Sequence, residues 1–145
     1  AALDWIQAVN RDAKTCWIAG YSFGAWIGMQ LLMRRPEISG FISVAPPANS
    51  KDFSFLAPCP ASGLILQGGE DHLVPEASVG ALAEKLSGQR NIHIHYKMFP
   101  HADHNFDNHL KDISLAVREY VTEVTTRKQR KSSKSKGLKK LKPKA

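Results

Sequence analysis

Short apolar runs alternating with helix-length amphipathic stretches constrain this chain more than any other feature. TCWIAG (15–20) and FISVAP (41–46) are apolar along nearly their whole length and bounded by turn residues. Such runs read as strands buried on both faces. GLILQG (63–68) and IHIHYKMF (92–99) read as two further strands. Between them lie AWIGMQLLMRR (25–35), a helix closed by Arg34, Arg35 and Pro36, and a helix from Pro75 to about Leu86. A first helix is expected over 3–9, with Leu3, Ile6 and Val9 at helical spacing. A last is expected over 109–125, with Leu110, Ile113, Val117 and Val121 on one face. This alternation predicts an α/β fold, a three-layer α/β/α arrangement around a mostly parallel sheet. The right-handed crossover rule then sets the carboxyl ends of the strands on one edge, where ligands bind.

Composition narrows the class. With 145 residues and 43% hydrophobic residues the chain suits one domain with one core. No apolar run approaches the roughly 18 residues of a membrane span. The opening AALDWIQAVN lacks the basic-then-apolar layout of a signal peptide. Cys16 and Cys59 have no metal or redox spacing, so a reducing, cytoplasmic setting is expected. The net charge of +7 is unevenly spread: ten of the 20 Lys and Arg fall in 127–145, leaving ten bases against 13 acids in 1–126. Residues 1–126 therefore read as one mildly acidic domain and 127–145 as a disordered basic tail.

Gly20-Tyr21-Ser22-Phe23-Gly24 is a G-x-S-x-G motif between an expected strand and an expected helix. In that context the motif holds a serine Oγ clear of the backbone on a strained turn, at the positive end of a helix. A serine hydroxyl needs a base to become a useful nucleophile. Asp71, in LQGGEDHLVP (66–75), follows the third strand, and His104, in PHADHNF (100–106), follows the fourth. The order Ser22, Asp71, His104 is the serine, acid, histidine order of one triad lineage. His104 would take the Ser22 proton, and Asp71 would fix its tautomer.

The segments GYSFG (20–24), LILQGGEDHLVP (64–75) and HADHNF (101–106) give the chain a resemblance to the C-terminal part of an α/β-hydrolase. It is similar to small esterase-like and dienelactone-hydrolase-like members, over residues 1 to about 125. The resemblance implies Ser22 as nucleophile, Asp71 as acid, His104 as base and the Phe23 backbone N–H as an oxyanion-hole donor. It implies an ester or related acyl substrate and no cofactor or metal. Dienelactone hydrolases proper use cysteine where this chain has Ser22. Glu70 is an alternative acid, but the family pattern places the acid one residue later. His72 and His101 read as solvated loop histidines, and Asp103 and Asp107 as loop and cap residues. His93 and His95 alternate on a strand without an evident third metal ligand. Cys16, Trp17, Trp26 and Met29 read as core, with Trp26 also a candidate acyl-pocket wall.

The resemblance also implies a partial fold. The family pattern has about eight strands, with the nucleophile after the fifth and a second oxyanion donor from the loop after the third. Here Ser22 follows one strand. The chain is expected to supply the last four strands in consecutive order, as a fragment, truncated product or part of a split protein. Strand 15–20 would leave an open edge suited to pairing. The loop 47–62 is too short for a helical lid. Other readings are a non-catalytic hydrolase-fold remnant that binds a partner, and a nucleic-acid or ribosome-associated protein whose tail attracts anions non-specifically.

Overall fold

The computed structural model describes residues 1–140, with side-chain surroundings through residue 134. In chain order the elements are α1 (Ala2–Val9), β1 (Cys16–Tyr21), α2 (Phe23–Arg34), β2 (Ile38–Val44), a 3₁₀ turn (Ser54–Leu56), β3 (Gly63–Gly68), α3 (Glu76–Ser87), β4 (Ile94–Phe99) and α4 (Leu110–Lys140). The four strands form one sheet in the order β1-β2-β3-β4. All three pairings are parallel. This is the expected α/β fold with consecutive strand order.

The register explains the placement of the polar loops. Tyr21 pairs with Val44, Val44 with Leu66, Leu66 with Lys97 and Gly68 with Phe99. The loops after β1, β3 and β4 therefore leave the sheet along one edge. Below that edge the core is built from Phe41 of β2, Ile65 of β3, Met29 and Leu32 of α2, and Val79, Leu82 and Leu86 of α3. Each such side chain, fully buried, contributes on the order of 2 kcal/mol. On the opposite face of the sheet, Leu64 and Leu66 of β3 are buried as well. β3 is therefore buried at every position, whereas β1, expected to be buried on both faces, has no buried residue and exposes Ala19 and Tyr21, because it stands at the end of the sheet order.

Several boundaries differ from the sequence reading, each for a local reason. β2 begins at Ile38 rather than 41, because Ile38 is buried and pairs with Cys16 across an irregularity in the ladder. α2 begins at Phe23, directly after the motif serine. Of the expected α1 stripe, Leu3 packs on the core while Ile6 and Val9 are exposed. The segment 47–62 is not structureless: Phe53, Leu56, Cys59 and Ala61 enter the core around the 3₁₀ turn.

Two compact units are distinguished, residues 1–108 and the described residues from His109 onward. In the second unit α4 runs to Lys140, past the expected end at 125. Residues 127–140, expected to be disordered, continue this helix instead. Lys, Arg and Gln lose little side-chain freedom in a helix, and Arg127 pairs with Glu123 one turn back. The rest of the expected tail, 141–145, lies outside the described residues. On α4 itself Leu110 is exposed, whereas Ala116 and Tyr120 are buried. No described helix is long and apolar enough to cross a membrane.

Candidate active site

The serine stands where strand becomes helix. Ser22 has φ 52 and ψ −121, a left-handed conformation that is costly for any residue with a Cβ. Its N–H is held by the Val44 carbonyl at 2.8 Å, and its own carbonyl accepts the Ala25 N–H at 3.0 Å. So tight a reversal brings α2 against β1. A Cβ added to Gly20 would lie 2.6 Å from the Gly24 carbonyl carbon and 2.7 Å from Ala25 Cα. Gly24, the other motif glycine, has open space at the same point. Only Gly20 is sterically required.

The acid and histidine loops are joined through their backbones. The Gly69 N–H donates to Phe99 O at 2.8 Å and the Glu70 N–H to Ala102 O at 3.0 Å. At Gly68 an added Cβ would come within 2.8 Å of Asp103 O. The close approach carries Asp71 to His104: Nδ1 of His104 is 2.7 Å from Asp71 Oδ2, and Nε2 is 3.0 Å from Ser22 Oγ. The Asp71 side chain is fully buried and that of His104 is 12% exposed.

Asp71 is fixed on every side. Oδ1 accepts the N–H groups of Leu73 and Val74 at 2.9 and 2.8 Å, and Oδ2 also accepts Gln67 Nε2 at 3.2 Å. Burial pushes its carboxyl up, but the Val74 N–H, the His104 hydrogen bond and the Leu73 N–H outweigh it and hold the group below the usual carboxylate value. Asp71 is therefore an anion at neutral pH, and acceptor-only. Its partner Nδ1 must carry a proton, which leaves Nε2 as the acceptor facing the serine hydroxyl. The geometry can move a proton from Ser22 Oγ to His104 while Asp71 stabilises the cation.

The structure thus brings Ser22, Asp71 and His104 into one hydrogen-bonded chain. Glu70 is not the acid partner; it is exposed and reaches His101 at 3.3 Å. His72, His93 and His95 are exposed, and no group of three or more metal-ligating side chains is found among the described residues. Phe23 is the first residue of α2, a position whose backbone N–H has no intrahelical acceptor. Its ring lies 5.7 Å from that of Trp26, and Lys51 Nζ stands 5.2 Å from the Trp26 ring. Trp26 donates Nε1–H to Asp52 O at 2.9 Å and is half-buried. Met29 is core, as expected, and Cys16 and Cys59 are free thiols.

Sequence reasoning missed two residues near this chain. Gln67 supports Asp71 from within β3, and its Nε2 also reaches Val74 O at 2.9 Å. A glutamine in an otherwise apolar buried strand is the signal that could have found it. Tyr21 reaches the histidine loop from β1, a contact no local pattern encodes.

A parallel α/β sheet with a strained serine at a strand-to-helix turn and a histidine–carboxylate pair across the same edge defines an α/β-hydrolase. Residues 1–135 match the Dienelactone hydrolase family, and the chain belongs to that family. It is 52% identical to an Agrobacterium tumefaciens protein of unknown function, with a TM-score of 0.82 over 86% of this chain and 57% of that one. A Xanthomonas campestris protein described as an a/b serine hydrolase without lid is 31% identical, with a TM-score of 0.73 over 85% of this chain and 53% of that one. An uncharacterized Rickettsia prowazekii protein is 48% identical over 128 residues, 86% of this chain and 54% of its own length. The chain therefore spans a little over half the length of these relatives.

Proposed function

We propose that this chain carries the nucleophile, base and acid of a serine hydrolase acting on ester or related acyl bonds. The observation that carries the reading is the continuous chain Ser22 Oγ···His104 Nε2 and His104 Nδ1···Asp71 Oδ2, at 3.0 and 2.7 Å. In the proposed reaction Ser22 Oγ attacks the acyl carbonyl as His104 takes its proton. The Phe23 N–H, at the positive end of α2, donates to the developing oxyanion. His104 then protonates the leaving alkoxide, giving an acyl-enzyme. Water attacks this ester as His104 takes the water proton, and the proton returns to Ser22 as the acid product leaves. The segment 47–62 forms no helical lid, which suits a small substrate rather than a lipid surface.

Labelling with a neutral fluorophosphonate tests the reading, with hydrolysis of a small activated ester measured alongside. Wild type should be labelled at Ser22, whereas Ser22→Ala should not react and His104→Ala should react at least about 10³-fold more slowly. Absence of Ser22-dependent labelling in a folded chain would refute catalysis by this chain and favour a role in binding.

A further inference from the structure

Tyr21, the last residue of β1, precedes the nucleophile yet reaches the base. Its hydroxyl lies 3.0 Å from the main-chain carbonyl of His104 and 3.0 Å from Asn105 Oδ1, partners 83 and 84 residues further along the chain. Both oxygens accept from the one phenol proton. The ring sits 5.3 Å from the His104 imidazole, tilted by 44°. Burial, then the carboxylates of Asp71, Asp103 and Asp107, push this phenol above its ordinary value. It therefore keeps its proton across the neutral range and acts as a donor.

The histidine loop needs such a tie. Phe106 has φ of 55, a left-handed value that a bulky residue adopts only when its surroundings over-determine it. On one side of His104, Ala102 is buried and bonded to the acid loop. On the other, Phe106 is buried edge-on to Phe99 at 6.0 Å. Between these anchors the imidazole bonds Asp71 and Ser22, and the carbonyl of His104 is held by Tyr21. The strand that carries the nucleophile thus grips the backbone that carries the base.

We propose that Tyr21 is a positioning residue of the active site, whose hydroxyl sets the His104 imidazole in line between Asp71 and Ser22 by holding the His104 carbonyl. Its kinetic consequence rests on the hydrolase reading; the positioning itself does not. Tyr21→Phe in the full chain keeps the ring and removes only the hydroxyl. Two measurements are compared with wild type. The first is the low-field proton resonance of His104 Nδ1–H in its bond to Asp71, assigned by its loss in Asp71→Asn. The second is fluorophosphonate labelling of Ser22, separated into the maximal rate and the half-saturating concentration.

The expected result in Tyr21→Phe is a broadened or upfield-shifted resonance, with a maximal labelling rate down by about tenfold. The half-saturating concentration and melting temperature should be nearly unchanged. Asn105→Ala, which leaves the carbonyl anchor, should stay within about threefold of wild type. An unaltered resonance and rate in Tyr21→Phe would overturn the inference, as would an Asn105→Ala effect as large as the tyrosine's. A collapse of melting temperature without a change in resonance would make Tyr21 merely structural and also overturn it. If wild type is not labelled, the hydrolase reading fails while the resonance comparison still decides the positioning role.

Discussion

Replacing Asp71 with asparagine changes one atom, and the surroundings dictate how the new amide must sit. The N–H groups of Leu73 and Val74 donate to Oδ1 at 2.9 and 2.8 Å. They require an acceptor there, so the amide oxygen takes that place and the NH₂ takes the place of Oδ2. That site faces His104 Nδ1, 2.7 Å from Oδ2 in the native protein. An NH₂ group can only donate, so Nδ1 must become the acceptor and the imidazole proton moves to Nε2. His104 then presents a donor to Ser22 Oγ and cannot accept its proton. The loss combines a wrong tautomer with a missing carboxylate beside the imidazolium, about 10⁴-fold or roughly 5.5 kcal/mol of barrier. The same NH₂ would also face Gln67 Nε2, a second donor, at a site where the native contact is 3.2 Å. Leaving buried donors opposed costs about 1–3 kcal/mol of stability. Fluorophosphonate labelling at Ser22, run with a urea titration, measures both. Labelling of Asp71→Asn within tenfold of wild type would refute the tautomer argument.

The two motif glycines should behave differently. Gly20→Ala drives a Cβ into the backbone of Gly24 and Ala25 and should cost about 3 kcal/mol, whereas Gly24→Ala, with open space, should stay within about 1 kcal/mol. Equal losses in urea titrations would contradict the close approach of α2 to β1. Acid should weaken the protein through Asp71. Its folded carboxyl lies below the usual value, so its stabilisation is complete above the unfolded value of about 3.9 and is lost as pH falls through the lower folded value. As pH falls from about 4 through the lower folded value, wild type should therefore lose stability more steeply than Asp71→Asn, and parallel curves would count against an ionised Asp71.

Much of this protein is legible in the chain order of its residues. Period and run length belong to local sequence, so the strands over 63–68 and the helix ending near Leu86 could be read almost to the residue. G-x-S-x-G between strand and helix already names a strained serine. Other features depend on partners far along the chain. The start of β2 at Ile38 was set by its pairing with Cys16, which outweighs the turn character of Ser39 and Gly40. Among four acidic or histidine neighbours of nearly equal local merit, only the packing of the glycine-bearing loops decides that Asp71 and His104 meet, while Glu70 and His101 face outward. The grip of Tyr21 on the His104 carbonyl is likewise tertiary. Local spacing fixes which side chains share a strand or helix face. It carries no information about which loops touch across a sheet edge, because hydrogen bonds between residues some 80 positions apart exist only once the strands are in register.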